Sequence, residues 1–130
     1  MLELRGVNTF YGSIPALRDV SLSVREGEIV TLIGANGAGK TTTLMTVCGG
    51  IQPRSGEILY EGKPIHRTRP NEIVRMGISQ VPEGRLIFPE LTVQENLDMG
   101  AFLRRDRDGI RRDMDYIFAL FPILAQRRRQ

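Results

Sequence analysis

The chain of 130 residues contains no tryptophan, one cysteine and one histidine. Because Cys48 has no second cysteine to pair with, an internal disulfide is excluded, which favours a reducing compartment. A single histidine, His66, cannot form a histidine metal cluster. Aromatic residues make up only 6% of the sequence, so no surface for stacking nucleic-acid bases is indicated.

Long hydrophobic runs are also missing. No apolar stretch approaches the roughly 20 residues that span a bilayer. Charged residues occur throughout residues 1–20, so we expect no secretory signal peptide. With 41% hydrophobic and 25% charged residues, the composition is that of a globular domain with a hydrophobic core.

Lysine is scarce, because 16 of the 18 basic residues are arginine and the formal net charge is +3. The arginines concentrate in the last third of the chain, which leaves two interpretations open. One is a nucleic-acid surface. The other, which we favour, is a solvated helix face, because acidic residues alternate with most of these arginines; they are Asp106, Asp108, Asp113 and Asp115.

The most specific feature present is residues 34–41, GANGAGKT, which fit the phosphate-binding pattern G-x-x-x-x-G-K-[ST] called Walker A. Lys40 is expected to reach the β- and γ-phosphates, and the Thr41 hydroxyl is expected to ligate Mg²⁺. Glycines let backbone N–H groups turn towards a phosphate, and a helix beginning near Gly39 adds its dipole. The predicted cofactor-binding residues of the loop are Gly34, Asn36, Gly37, Ala38, Gly39, Lys40, Thr41 and Thr42.

The flanking segments support this prediction. Residues 28–33 form an apolar, β-branched run that predicts a buried parallel strand. Residues 41–48 predict a helix that packs through Leu44, Val47 and Cys48 and ends at two glycines. The alternative is a glycine-rich turn that binds nothing, but such a turn has no use for the Lys-Thr pair.

Other elements follow from periodicity and from turn and cap residues. Strands are predicted over residues 2–7, 20–24, 57–60 and 78–81, with a hairpin turn over 61–64. Helices are predicted over residues 70–75, from a capping box at 92–95 to about 103, and from about 108 to 121.

Taken in order, several segments resemble the ATP-binding subunit of ABC transporters: residues 10–12, 16–21, 27–34, 55–57 and 87–96. The resemblance implies an α/β fold with a P-loop NTPase core. An N-terminal antiparallel β subdomain and the Walker A core would occupy about residues 1–90, and the start of an α-helical subdomain about 91–130. It also implies that Tyr11 stacks on adenine. The alternative for Tyr11 is a surface tyrosine in a turn.

Glu83 occupies the position where most members of the family carry a glutamine, counting back from residues 88–93. The resemblance therefore gives Glu83 a role in Mg²⁺ ligation and in coupling to the membrane subunit, and gives Lys40 and Glu83 catalytic roles. The form of residues 81–85, VPEGR, resembles the branched-chain amino acid uptake subfamily, as do residues 48–49 and 95–101. The alternative for Glu83 is a solvated loop acid.

Three family motifs are not found in the sequence: the Leu-Ser-Gly-Gly-Gln signature, the Walker B Asp-Glu pair and the switch histidine. We therefore expect a truncated cassette, either the N-terminal part of a longer protein or a shortened gene product, which is inactive as an ATPase by itself. In the family, later strands extend the sheet beyond the Walker A strand. Residues 28–33 would then present an open edge and an uncovered apolar face, which is an aggregation hazard.

The resemblance implies an energy-coupling ATPase subunit of an importer, with ATP and Mg²⁺ as cofactors and branched-chain amino acids as the expected cargo. Its partners would be transmembrane permease subunits, a second ATP-binding subunit in a homo- or heterodimer and, indirectly, a periplasmic substrate-binding protein, with no nucleic acid. It would be cytoplasmic and peripheral on the inner face of the plasma membrane. Two alternatives remain: a soluble ABC-type ATPase of translation or DNA repair, and a non-catalytic nucleotide-binding fragment.

Overall fold

A computed structural model describes residues 1–84 and 86–130. The chain divides into two compact units, an N-terminal unit, Met1–Val81, and a C-terminal unit, Pro82–Gln130. Within the described residues, no helix is long and apolar enough to cross a membrane.

The N-terminal unit is built on a four-stranded antiparallel sheet with the strand order β2-β1-β3-β4. Its strands are β1 (Leu2–Tyr11), β2 (Ile14–Val24), β3 (Ser55–Tyr60) and β4 (Lys63–Pro64). β1 pairs with β2 through a tight hairpin, and with β3 from much later in the chain. The β3–β4 hairpin turns at Glu61 and Gly62, whose φ angles are 49° and 75°. Positive φ at both central residues suits the twist of a two-residue hairpin.

Two short helices complete the N-terminal unit, α1 (Lys40–Val47) and α2 (Pro70–Arg75). α1 contributes Val47 to a core that is otherwise made by the sheet and by Ile65. Alternation places every second side chain on one face of the sheet. Leu4 and Val7 are three positions apart on β1 and both reach the core because the strand register shifts between them. Its buried members are Leu4, Val7, Leu17, Val47, Ile58 and Ile65.

The C-terminal unit contains three helices, α3 (Val93–Gly100), α4 (Arg107–Leu120) and α5 (Pro122–Gln126). α3 begins with the predicted capping box: the Thr92 hydroxyl accepts from the Glu95 N–H, and the Glu95 carboxylate accepts from the Thr92 N–H. Arg104 joins the turn before α4 to the helix by pairing with Asp106 and Asp113. An apolar groove of about 320 Å³ lies between α3 and α4.

Two predicted strands are wrong. Residues 28–33 form no strand in the described structure, and Ile29 and Ile33 are 94% and 93% exposed rather than buried. Residues 78–81 also lack strand structure. The first prediction rested on apolar, β-branched composition and the second on periodicity and the flanking turn residues, but a strand exists only when its backbone pairs with a neighbour. Within residues 1–84 and 86–130, no segment pairs with either stretch.

The packing of α1 also differs from the prediction. Val47 is buried, but Leu44 is 50% exposed and Cys48 is only partly buried. The face that meets the sheet carries two threonines instead, Thr43 and Thr46. Threonine can be buried in a helix when its hydroxyl bonds to the backbone one turn earlier, which makes it a less visible core residue than leucine.

Candidate phosphate-binding site

The predicted phosphate-binding loop leads directly into α1. Gly39 is the N-cap residue, with φ 92° and ψ 5°, and no side chain caps the helix there. The first helical bond runs from the Thr43 N–H to the Gly39 carbonyl at 2.8 Å. The N–H groups of the first helical turn lack intrahelical acceptors, and the helix dipole places partial positive charge at this end. This arrangement suits an anionic ligand.

Gly39 is required here for two reasons. Its φ lies in the left-handed region, and a Cβ at this position would come within 2.7 Å of Leu17 Cδ2 and 3.0 Å of the Ala16 carbonyl oxygen. Ala16 is the extra residue of a bulge in β2, since Thr9 pairs with Leu17 while Phe10 pairs with Pro15. The bulge therefore brings β2 against the end of the loop, where only a glycine fits.

The Lys40 ammonium lies over the loop that precedes it. Nζ donates hydrogen bonds to the carbonyl oxygens of Gly34 and Ala35, each at 2.8 Å. Within the loop, the Ala38 N–H donates to the Ala35 carbonyl at 3.1 Å. The cation is thus held on the loop whose backbone is predicted to surround a polyphosphate.

α1 is anchored to the sheet by hydroxyl groups. Thr43 Oγ1 donates to the Gly39 carbonyl at 2.9 Å, and Thr46 Oγ1 donates to the Thr42 carbonyl at 2.7 Å. The Thr46 hydroxyl also lies 3.3 Å from the Thr9 hydroxyl of β1, and both residues are fully buried. Each of these hydroxyls has a hydrogen-bond partner that offsets the cost of burying it, and the contact between Thr46 and Thr9 holds α1 on β1.

The remaining loop residues predicted to bind the nucleotide lie on the surface of the N-terminal unit. Thr41, in the first turn of α1, is exposed, and Thr42 is partly buried. Three further residues of the loop are exposed: Asn36, Gly37 and Ala38. The Walker A residues therefore form one continuous, solvent-accessible segment, and their ligand contacts remain predictions.

Tyr11 ends β1 and is 49% exposed. Alternation along β1 places Tyr11 on the same face as Thr9, which contacts α1, and Phe10 on the opposite face. The sheet thus presents the tyrosine on the face that carries the phosphate-binding helix. Its stacking on a base remains a prediction.

Glu83 lies in the C-terminal unit, in an exposed bend. The neighbouring Arg85 of the VPEGR sequence lies outside the described residues. Downstream, the Asn96 amide accepts from the Phe88 N–H at 2.9 Å and donates to the Phe88 carbonyl at 3.0 Å. It donates also to the carbonyls of Leu91 and Thr92, at 3.1 and 3.0 Å. Asn96 thereby fixes the loop between Phe88 and Thr92 on α3.

The side chains available as metal ligands decide whether Mg²⁺ fits this site. In the part of the chain that the structure describes, no group of three or more His, Cys, Asp or Glu side chains could hold a metal ion. Mg²⁺ at nucleotide sites is commonly bound by few protein oxygens together with substrate phosphates and water. A Thr41 hydroxyl beside a phosphate-binding loop suits that mode, but it does not suit a metal site made by protein alone.

Sequence reasoning missed two side chains that hold loops or hairpins in place, Arg54 in the N-terminal unit and Asn96 in the C-terminal unit. Arg54 Nη2 donates to the Gly12 carbonyl at 2.9 Å, and its guanidinium lies 3.8 Å from the centre of the Phe10 ring. The local sequence around Arg54 predicts neither contact, because both partners lie more than forty positions away along the chain. The bonds of Asn96 to residues four to eight positions earlier are local, but no general sequence pattern marks them.

Comparison with known proteins gives one consistent family. The family model described as ABC transporter matches residues 17–130. The high-affinity branched-chain amino acid transport ATP-binding protein BraG of Pseudomonas aeruginosa is 52% identical over 130 residues, which are 100% of this chain and 55% of that protein. The ribose import ATP-binding protein RbsA of Yersinia pestis is 40% identical over 105 residues, 81% of this chain and 21% of that protein. The chain spans about half the length of BraG.

Solved structures agree with the sequence relatives. An ATP-binding subunit of an ABC transporter matches with a TM-score of 0.75 and 32% identity, over 96% of this chain and 49% of that chain. A dimeric ATP-binding cassette in a post-hydrolysis state, bound to ADP and Pi, matches with a TM-score of 0.73 and 26% identity. That match covers 88% of this chain and 55% of the cassette.

Proposed function

Because the chain belongs to the ABC transporter family, we propose that it binds ATP at residues 34–41 and provides energy coupling for an importer. The observation that carries this proposal is the geometry of the loop. Lys40 is held over the loop by two carbonyls, and the loop opens into the uncapped N-terminus of α1. A polyphosphate bound there would meet a cation, free backbone N–H groups and the positive end of the helix dipole.

Lys40, in this proposal, neutralises charge on the β- and γ-phosphates, and Tyr11 contributes an aromatic face for the base. Thr41 and Glu83 supply oxygen ligands for Mg²⁺, which when bound neutralises charge that develops on the phosphates. A carboxylate at position 83 keeps a hard oxygen ligand but cannot donate a hydrogen bond as an amide can. Glu83 therefore adds negative charge to the exposed segment that is proposed to couple to the membrane subunit.

The proposed cargo is a branched-chain amino acid. BraG matches the whole chain at 52% identity. The ribose import protein matches 81% of the chain at 40%, and the autoinducer 2 import protein LsrA of an Enterobacter species matches 75% at 37%. The VPEGR form of residues 81–85 points to the same subfamily. The relatives support the importer class in general and favour amino acids within it.

The proposed partners follow from this class: transmembrane permease subunits, a second ATP-binding subunit and, through the permease, a periplasmic substrate-binding protein. ATP binding would close two cassettes, and hydrolysis would reopen them and move the membrane subunits. The protein would then work in the cytoplasm, attached to the inner face of the plasma membrane.

The lysine content of the chain provides a matched test, since Lys40 and Lys63 are the only two lysines. We expect Lys40→Ala in the full-length gene product to weaken MgATP binding by at least about tenfold, because a charge-assisted contact of roughly 1.5–3 kcal/mol is lost. Lys63→Ala, at an exposed position of the β3–β4 hairpin, should leave the affinity unchanged. Calorimetric titration measures both, and equal affinities in the two variants would contradict the proposed site.

The importer proposal is tested by uptake in a strain that lacks the gene. We expect the wild-type gene to restore uptake of labelled leucine but not of labelled ribose, and the Lys40→Ala gene to restore neither. Restored ribose uptake with unchanged leucine uptake would overturn the amino-acid assignment while leaving the nucleotide site intact.

A further inference from the structure

We propose that Arg54 is a positioning residue that holds the β1–β2 hairpin so that Tyr11 can stack on the base of the nucleotide. This inference rests on the proposed nucleotide-binding function and adds a specific determinant to it. Tyr11 lies at the end of a two-residue hairpin, where it pairs with Ile14. A strand end at a hairpin tip has neighbours on few sides, so an additional contact is needed to hold its orientation.

Arg54 makes two side-chain contacts with that hairpin. Its Nη2 donates to the Gly12 carbonyl at 2.9 Å, at the residue next to Tyr11. Its guanidinium lies over the Phe10 ring, with Cζ 3.8 Å from the ring centre, at the residue on the other side of Tyr11. The two contacts thus bracket Tyr11 without touching it, and both are within the range of favourable cation–π and hydrogen-bond geometry.

The backbone that carries Arg54 is itself fixed to β1. The Arg54 N–H donates to the Asn8 carbonyl at 2.8 Å, and the Asn8 amide donates to Ser55 Oγ at 3.1 Å. The next residue, Gly56, presses against β1 so closely that a Cβ would lie 2.4 Å from the Gly6 carbonyl oxygen. The arginine therefore extends from a rigid base to the hairpin tip.

The side chains of Arg54 and Tyr11 lie on opposite faces of β1. Tyr11 shares a face with Thr9, which contacts α1, whereas Phe10 and the guanidinium lie on the opposite face. Arg54 thus contacts the hairpin on the face opposite to α1. It does not cover the face on which Tyr11 is proposed to stack on the base. Its effect should reach the nucleotide through the base and not through the phosphates.

The test compares two ligands that share phosphates but differ in the base, ATP and inorganic tripolyphosphate, each with Mg²⁺ and the full-length gene product. We expect Arg54→Ala to weaken ATP binding roughly three- to tenfold, the scale of a single cation–π contact or a single hydrogen bond. Tripolyphosphate binding should stay within about twofold of wild type. Arg67→Ala, at an exposed arginine of the same unit, is the matched control and should change neither affinity.

A double-mutant cycle shows whether Arg54 acts through Tyr11. We expect Arg54→Ala to cause no further loss of ATP affinity in a Tyr11→Ala background. Equal losses for ATP and tripolyphosphate, or full additivity with Tyr11→Ala, would overturn the inference. If Arg54→Ala fails to fold, as judged by its melting curve, Arg54→Lys keeps a donor for Gly12 but loses the planar contact with Phe10. A smaller, ATP-selective loss is then expected, and an unchanged ratio of the two affinities overturns the inference.

The two proposals fail in different ways. If the wild-type protein binds neither ligand, or if Lys40→Ala changes neither affinity, the proposed nucleotide site is wrong and this inference is wrong with it. If Lys40→Ala weakens both ligands while Arg54→Ala leaves ATP affinity unchanged, only the role of Arg54 is overturned.

Discussion

At the scale of single residues, contacts between backbones set the strictest requirements of the N-terminal unit. A Cβ at Gly56 would lie 2.4 Å from the Gly6 carbonyl oxygen and 2.7 Å from that of Arg5. Both obstacles are main-chain atoms of β1, which cannot rotate away as a side chain can. Gly56 therefore determines how closely β3 can approach β1, and the position of Arg54 depends on it.

We expect Gly56→Ala to destabilise the protein by more than about 2 kcal/mol, because steric overlap adds to the strain of an alanine at φ 88°. Gly62→Ala is the matched control: its φ is 75°, but a Cβ there would meet nothing within 4 Å. The control should cost only the conformational strain, about 1 kcal/mol. Denaturant unfolding of both variants measures the difference, and equal destabilisation would contradict the steric explanation.

Local signals predicted several elements well. The prediction of a helix over residues 70–75 is confirmed by α2, Pro70–Arg75, because proline at the first turn and a glycine after the end are sufficient signals. The capping box at Thr92 is confirmed in both of its hydrogen bonds. The hairpin predicted at residues 61–64 is confirmed, although its turn is only Glu61 and Gly62, and Lys63–Pro64 form β4.

Predictions that depend on long-range partners were less successful. β1 and β2 are longer than predicted because their mutual pairing continues past the alternating segments to the tip of the hairpin. The strand over residues 28–33 was wrong because composition cannot supply a neighbouring strand. Within the candidate site, the motif predicted the loop and the start of α1, but the bulge at Ala16 and the support from Arg54 come from tertiary contacts.

The capping box provides the prediction at the scale of one element. We expect Thr92→Ala to lower the stability of α3 by about 1 kcal/mol, since an N-cap hydroxyl acceptor is lost. The measurement is amide hydrogen exchange of α3, with protection reduced by about fivefold. Thr92→Ser keeps the oxygen and should stay close to wild type; equal protection in the alanine and serine variants would contradict the role of the cap.

This cap should also depend on pH. Hydrogen bonds from the Thr92 backbone and hydroxyl lower the pKa of Glu95 from its ordinary value of 4.5. A carboxylate with a lowered pKa stabilises the fold above its unfolded pKa, and the stabilisation is lost as pH falls through the folded pKa. We expect α3 in wild type to lose protection below about pH 4.5 relative to Glu95→Gln, which does not titrate. Parallel pH profiles for the two proteins would argue against this linkage.

At the scale of the whole molecule, one marked departure from ordinary burial lies between β2 and α1. Ile29 and Ile33 are almost fully exposed, and Val30 and Leu32 are 40% and 38% exposed. Four apolar residues within one short unpaired segment are typical of surfaces that bury themselves against another chain. The sequence predicted this hazard, although it predicted a strand with an open edge.

We expect the 130-residue chain to self-associate in a concentration-dependent way through this segment. The double substitution Ile29→Ser and Ile33→Ser should shift the association to at least roughly tenfold higher concentration, because two large apolar side chains are removed from the contact. Ile14→Ser, at a residue that is 68% exposed in β2, is the control. Sedimentation velocity measures all three chains; an equal shift in the control would mean that association is not specific to this segment.

The pairing of β1 has a consequence for how the N-terminal unit reaches its native state. The hairpin of β1 with β2 is local in sequence. The pairing of β1 with β3 joins Leu2 to Tyr60, and the chain between β2 and β3 contains the phosphate-binding loop and α1. Local contacts form fast, and pairing across a long intervening chain is slower because closing that loop costs entropy. We therefore expect the Tyr11 hairpin to form before β3 docks. Arg54 lies on the segment that leads into β3, so it would contact the hairpin only when β3 docks. The ability to bind the base of a nucleotide would therefore appear last during refolding.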